Sequence, residues 1–225
     1  MGFIDIENNY EIFNMMTKTG EEWLRKKGAK KYISPVNFNS WLEYRTISDF
    51  KENPLIISEY TLPDYINNFY EKSGFYEKEK HYTFIVEKPL DVLKSLEYHH
   101  KKCISNGYSA VKLENIDEKK ANSIYKIILS AFENAFLFEK ISFVEFMQIF
   151  NQKENKEFSE IYVAVKNNSI DGFILLLKNN DYIIIKTLAV DKDKQNNLIA
   201  PMLLYTTYDI YIKRNIKIFF HAYMK

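Results

Sequence analysis

Apolar positions recur at two periods along this chain, and each change of period marks an element. Over residues 8–27, Phe13, Met16, Gly20 and Trp23/Leu24 fall at helical spacing, and Gly28 after Arg25-Lys26-Lys27 supplies a stop, so a helix is predicted. Residues 31–36 read as a short strand closed by Pro35, Asn37 and Asn39, and residues 40–47 are too short and mixed to assign. A second helix starts at Leu62-Pro63-Asp64, carries Tyr65, Ile66, Phe69 and Tyr70, and stops at Gly74. Residues 81–87 alternate as a strand.

The second half is more regular. Residues 109–114 read as a strand, followed by a helix whose stripe is Ile124, Ile127/Ile128, Ala131 and Ala135, and by another helix over 142–150. Three strands follow: 161–166, then 173–178 after a turn through Asn167-Asn168-Ser169-Ile170-Asp171-Gly172, then 182–190 after Asn179-Asn180-Asp181. This is an antiparallel meander. A polar loop over 191–197, a helix over 198–213 and a last strand over 216–222 complete the pattern, and the handedness of crossovers makes the last strand parallel to 182–190. The predicted fold class is α/β: a mixed, mostly antiparallel sheet flanked by helices.

Composition narrows the function classes. The chain has 225 residues, 46% hydrophobic and 16% aromatic, enough apolar surface for a real core. A formal net charge of +1, with no run of five like charges, gives no pull toward phosphate backbones or anionic lipid, so neither nucleic acid nor a membrane is expected as a partner. The single Cys103 excludes an internal disulfide framework, and with four histidines no Cys-rich zinc site can form, so no metal is expected. Without an export signal or an apolar run of about eighteen residues, the expected location is cytoplasmic. Most of the Tyr and Phe positions fall on stripes that must pack in any case.

The stretch from Val190-Asp191 to Ala200-Pro201 joins a long strand to a helix, where free backbone N–H groups and the positive end of the helix dipole suit a pyrophosphate. Pro201 fits the first turn, which lacks an acceptor for its missing donor. From these residues alone, an ordinary strand-to-helix connection is the favoured reading of the segment. The order of elements around it resembles the Gcn5-related N-acetyltransferase (GNAT) superfamily. That family's Gln/Arg-x-x-Gly-x-Gly/Ala motif is matched here by Gln195, Asn196, Asn197, Leu198, Ile199 and Ala200, with Leu198 in place of the first glycine. The resemblance implies that these six residues bind the pyrophosphate of acetyl-CoA, or another acyl-CoA, and that the backbone of Leu188 and Val190 aligns the pantetheine and thioester.

The first half carries a second resemblance. Phe69-Tyr70-Glu71-Lys72-Ser73-Gly74-Phe75 is similar to the Tyr-x-Lys-x-Gly-Phe segment near the end of GNAT domains, and this implies Tyr70 as the catalytic acid that protonates the departing thiolate. Trp23 to Ala29 and Ser34 to Trp41 are similar to the long helix, fifth strand and following loop of a variant GNAT domain. The expected organisation is thus residues 1–88 resembling a domain's C-terminal half, a linker over 89–107, and 108–225 resembling a domain's N-terminal part. The strand ending at Ala222 would leave an open edge, which native sheets avoid. Either the chain forms one composite, permuted sheet, or two incomplete halves complete each other as a homodimer.

The implied reaction is direct acyl transfer from a thioester to a primary amine of a small molecule or peptide, with no covalent enzyme intermediate. His221 and Glu145 are candidates for the general base by position alone, and each has a plain structural reading as well. Cys103 reads as a buried small hydrophobe or linker residue, and His99-His100 with Lys101-Lys102 as an exposed polar linker. The alternative, from a different class, is a catalytically degenerate GNAT-fold binding or assembly module; transfer from an acyl-carrier protein is a third option.

Overall fold

A computed structural model describes residues 2–42, 44–47, 62–153 and 158–224. The chain forms two compact units, one of residues 1–80 with 136–139 and one of residues 81–135 with 140–225. Glu43, within the stretch left unassigned from sequence, lies outside the described residues.

In the first unit, α1 (Tyr10–Lys26) begins where the Asn9 side chain accepts from the Glu11 and Ile12 amides, and ends before Gly28, whose φ of 84° suits a residue without Cβ. The predicted stripe is only partly buried. Phe13 and Thr17 are enclosed, whereas Met16 and Trp23 stand exposed. The partner explains this: α2 (Tyr65–Lys72) is a short helix, and its Phe69 and Tyr70 rings meet Phe13 at 5.6 and 5.0 Å. Residues 31–36 do not form the predicted strand. They make one isolated bridge, Val36 with Tyr44, in a stretch where Pro35 has no amide hydrogen to offer a ladder.

The second unit contains β1 (Tyr82–Val86), α3 (Pro89–Ser105), β2 (Ser109–Lys112), α4 (Glu118–Phe132), α5 (Phe143–Lys153), β3 (Ser159–Lys166), β4 (Ser169–Lys178), β5 (Tyr182–Val190), α6 (Ile199–Lys213) and β6 (Ile218–Met224). Its six-stranded sheet runs β1-β6-β5-β4-β3-β2. Every neighbouring pair is antiparallel except β5 and β6, which are parallel as the crossover rule required. The predicted class therefore holds. The open edge expected beside the last strand is filled by β1, which lies antiparallel along β6.

Two expectations need correction. The stretch 89–107, read as a linker, is mostly α3. Pro89 looks like a breaker in sequence but sits in the helix's first turn, where a missing N–H costs nothing. Val92, Leu93, Leu96 and the fully buried Cys103 turn toward α6, and His100, read as part of an exposed linker, stacks on Tyr205 at 4.1 Å. The β3–β4 connection is also shorter than predicted. Asn167 and Asn168, with φ of 49° and 63°, form the whole turn, so residues 169–172 belong to β4.

The core lies on both faces of the sheet, which is why β3, β4 and β5 read as almost continuous apolar runs. On one face Tyr162, Ala164, Ile174, Leu176, Ile183 and Ile185 pack with Met202, Leu203 and Tyr208 of α6, itself covered by α3. The alternate residues face the side of α4. Complete burial of side chains such as Met202 or Phe219 contributes roughly 2–3 kcal/mol each, and this anchors α6 against the sheet.

Candidate functional site

The site begins with one extra residue. Along β4 and β5, Leu175 pairs with Thr187 but Leu176 pairs with Ile185, leaving Lys186 as a bulge that bends β5. The parallel ladder of β5 with β6 covers Tyr182–Ile185 against Ile218–His221 and, among the described residues, stops there although both strands run on. The two strands thus part as a fork with His221 and Ile185 at its vertex. The bulge also resets the alternation, so that Leu188 and Val190 join Ile183 and Ile185 on the α6 face.

The backbone of β5 beyond the fork has a definite direction. The Asp191 amide donates to the Asp171 carbonyl at 2.9 Å, making residues 171 and 191 a hydrogen-bonded pair of the antiparallel ladder. Alternation then turns the N–H and C=O groups of Val190 and Leu188 away from β4, into the gap that β6 has left. A cleft of about 310 Å³ opens here, lined by Leu188, Ala189, Val190, Gln195, Ala200, Ala131 and Phe132. Among the described residues its walls are apolar, with one amide side chain and no charged group.

At the end of β5 the segment read as a loop is wound into a 3-10 turn, Lys192–Asn197. The Asp191 carboxylate accepts from the Asp193 amide at 2.9 Å, and the Asp191 carbonyl accepts from the Lys194 amide at 2.8 Å. The chain then reverses at Leu198, which takes the left-handed conformation (φ 60°, ψ 26°) and leads directly into α6 without a side-chain cap. This is a conformation that glycine adopts freely and leucine at a cost of about 1 kcal/mol. The Leu198 side chain packs against the α6-face core, and Ile199 beside it is wholly buried. What permits this approach is Gly172 on β4: a Cβ there would lie 2.8 Å from Ile199 Cγ2 and 3.1 Å from the Ala189 carbonyl oxygen.

Of the residues singled out from sequence, Leu188, Val190, Gln195 and Ala200 line one cleft. Asn197 lines a neighbouring polar crevice with Lys194 and the Asp171 carboxylate, which is already held by Tyr108 and Ser169 at 2.9 and 2.7 Å. Asn196 lies between them in the same turn. Tyr70 belongs to the other unit, buried, with its hydroxyl 2.6 Å from Ser34 Oγ. The sequence reading missed Gly172, Lys186, Ala131 and Phe132 as parts of the site. A glycine inside an apolar run was the available signal, since it marks close approach of another element.

The two positional candidates for a base differ. Glu145 forms a capping box at the start of α5: its carboxylate accepts from the Ser142 amide at 2.7 Å, while the Glu145 amide donates to Ser142 Oγ at 3.2 Å. Those bonds hold its carboxyl below the usual range. Its role is structural. His221 is half-buried at the fork, 2.7 Å from the Tyr208 hydroxyl, and burial lowers the pKa of its imidazole, which keeps it neutral at neutral pH. Cys103 is fully buried and burial pushes its thiol up, which disfavours the nucleophilic thiolate. Among the described residues no three His, Cys, Asp or Glu side chains group to hold a metal, and no helix is long and apolar enough to cross a membrane.

No protein-family model and no curated protein matches the sequence. Solved structures similar to this chain include acetyltransferases and a tandem GNAT protein. An aminoglycoside acetyltransferase from an uncultured soil metagenomic sample, in complex with sisomicin, is 20% identical over 50% of this chain and 75% of its own, with a TM-score of 0.41. The ribosomal-protein-S18-alanine N-acetyltransferase from Escherichia coli is 22% identical over 48% of this chain and 62% of its own, with a TM-score of 0.37. A tandem GNAT protein from the clavulanic acid biosynthesis pathway is 13% identical over 74% of this chain, with a TM-score of 0.45, and the match spans 52% of its length.

Proposed function

We propose that this protein transfers an acetyl or other acyl group from an acyl-CoA to a primary amine of a small molecule or peptide. The observation that carries this reading is the fork. Past the Lys186 bulge, Leu188 and Val190 turn backbone groups into a cleft that ends at the turn preceding α6. A β-like extended chain such as pantetheine can bond to those groups as a missing strand would. In this reading the amides from Gln195 to Ala200 and the positive end of α6 hold the pyrophosphate. The residues fit such a ligand: the cleft is apolar where pantetheine would lie, and the Leu198 side chain packs into the core.

Acyl transfer requires an attacking amine without its extra proton, a polarised carbonyl and a proton for the leaving thiolate. The Leu188 or Val190 N–H is assigned the carbonyl oxygen, a fixed dipole that strengthens as negative charge develops. The departing thiolate takes up a proton as it leaves. As the N–C bond forms and the C–S bond breaks, the amine proton leaves to a base and no enzyme-bound acyl group arises.

Titration of the purified protein with acetyl-CoA by calorimetry is expected to give saturable heat in the micromolar range. Absence of heat at high micromolar ligand would remove the acyl-CoA reading and leave a non-catalytic binding or assembly module. Leu198→Gly tests the departure from the family's motif. The leucine already occupies the left-handed conformation, so the variant is expected to change acetyl-CoA affinity by less than about threefold. A gain of an order of magnitude would mean that the leucine obstructs the phosphates, and would favour the non-catalytic alternative.

A further inference from the structure

The acyl-transfer reading leaves the amine's proton without a destination, and several titratable side chains of the second unit are already committed. Glu145 caps α5, Asp171 is held by Tyr108 and Ser169, and Glu160 is held by Lys112, Lys178, Tyr162 and Tyr211. His100 is stacked in the α3–α6 interface, and burial lowers its pKa too. His221 is placed differently. It is the β6 partner of Ile185, the last rung before the strands part, and its side chain lies on the α6 face, the face that Leu188 and Val190 also occupy.

We infer that His221, oriented by Tyr208, takes the proton from the attacking amine at the vertex of the fork. Tyr208 is fully buried on α6 and wedged against Phe219, with ring centroids 4.3 Å apart, so its hydroxyl is fixed in position. The hydroxyl lies 2.7 Å from His221 Nε2. When Nε2–H donates to the tyrosine oxygen, Nδ1 keeps its lone pair. An N–H bond of the amine breaks, the proton moves to Nδ1 directly or through one water, and the nitrogen lone pair forms the new bond to the thioester carbon. The imidazolium so formed still donates to Tyr208, and afterwards releases its proton to solvent. Tyr208 is thus a positioning residue, and burial drives its own pKa far above the ordinary value, so it stays protonated throughout. Among the described residues Tyr208 of α6 bonds the imidazole, the register partners of His221 on the flanking strands are the uncharged Ile185 of β5 and Phe84 of β1, and the cause of its lowered pKa is burial.

This inference rests on the acyl-transfer reading, and one set of measurements separates the two. Thiol release from acetyl-CoA is followed with a polyamine, an aminoglycoside and an alanine-terminated peptide as acceptors, from pH 5 to pH 9, for the natural protein, His221→Gln and Tyr208→Phe. The expected result is transfer by the natural protein with an acidic limb below about pH 6.5, the ordinary imidazole value. His221→Gln should lose about a hundredfold in kcat together with that limb, while binding acetyl-CoA normally by calorimetry. Tyr208→Phe, which keeps the packing, should shift the limb and lower kcat about tenfold without changing the KM for acetyl-CoA. Natural-protein transfer with an unchanged rate and pH profile in His221→Gln would overturn the inference and leave the reading standing. Neither heat nor transfer in the natural protein would overturn both.

Discussion

Gly172→Val is expected to cost the protein its acyl-CoA affinity while leaving the sheet folded. The glycine is in β4 at an ordinary strand conformation, so its importance is space. Opposite it stands Val190, and above it Ile199 begins α6 with its side chain wholly buried. A single Cβ already comes within 2.8 Å of Ile199 Cγ2, 3.1 Å of the Ala189 oxygen and 3.3 Å of Val190 Cγ2. The carbonyl is part of the β5 backbone and cannot yield, so α6 must lift at its start. Overpacking of this kind costs about 1–3 kcal/mol, less than a folded domain can lose. The same displacement moves the Gln195–Ala200 amides, and misplacement by about 1 Å is enough to weaken a preorganised site by a hundredfold. Calorimetry with acetyl-CoA should therefore show at least a tenfold weaker complex, with circular dichroism near that of the natural protein. Ile199→Ala in the same chain removes the contacting methyl and should recover part of the affinity. A Gly172→Val protein that binds as tightly as the natural one would show that the α6 start does not hold the ligand.

The second large effect concerns stability in acid. Glu160, on β3, is buried, and burial alone would raise its pKa. The Tyr211 hydroxyl, at 2.5 Å, and the ammonium groups of Lys178 and Lys112, at 3.0 and 3.3 Å, outweigh that effect and bring it down to about 2. The folded value thus lies below the unfolded one. The stabilisation is fully present above the ordinary carboxylate range near 4.5, and is lost as the pH falls toward 2, by about 3 kcal/mol in all. Urea unfolding between pH 2 and pH 6 should show this loss. Glu160→Gln should lower stability at pH 7 by a comparable amount and flatten the acid limb, because Gln carries no charge for the lysines to face. Glu160 aligns with Leu176 and through it with Ile185, several residues along the sheet from the Gly172–Val190 pair, so acetyl-CoA affinity should not change. An unaltered acid limb in Glu160→Gln would assign the acid lability to other carboxylates.

Taken by element, the sequence alone determined the meander, the crossover and the place of the strand-to-helix junction. Those follow from local patterns: apolar runs bounded by Asn-rich turns, a helical stripe after a polar loop, and a handedness rule that depends only on chirality. It also placed Leu188, Val190, Gln195 and Ala200 in one site, because residues flanking a single junction cannot be far apart. It could not show that 89–107 is mostly helix, because Pro89 carries the same local signal at a break and at a first turn. Nor could it show that β1 closes the edge of β6, a pairing between residues more than a hundred positions apart that is settled only when the sheet assembles. The fork itself was decided by tertiary structure. A bulge is a mismatch between two strands, so Lys186 becomes one only against a register set by β4, and His221 becomes the vertex only where β6 ceases to follow β5. Leu198 likewise adopts a glycine's conformation because Ile199 is held against Gly172 and its own side chain is held in the core; the packing of these neighbours outweighs the leucine's intrinsic backbone preference, which is all that the sequence displays.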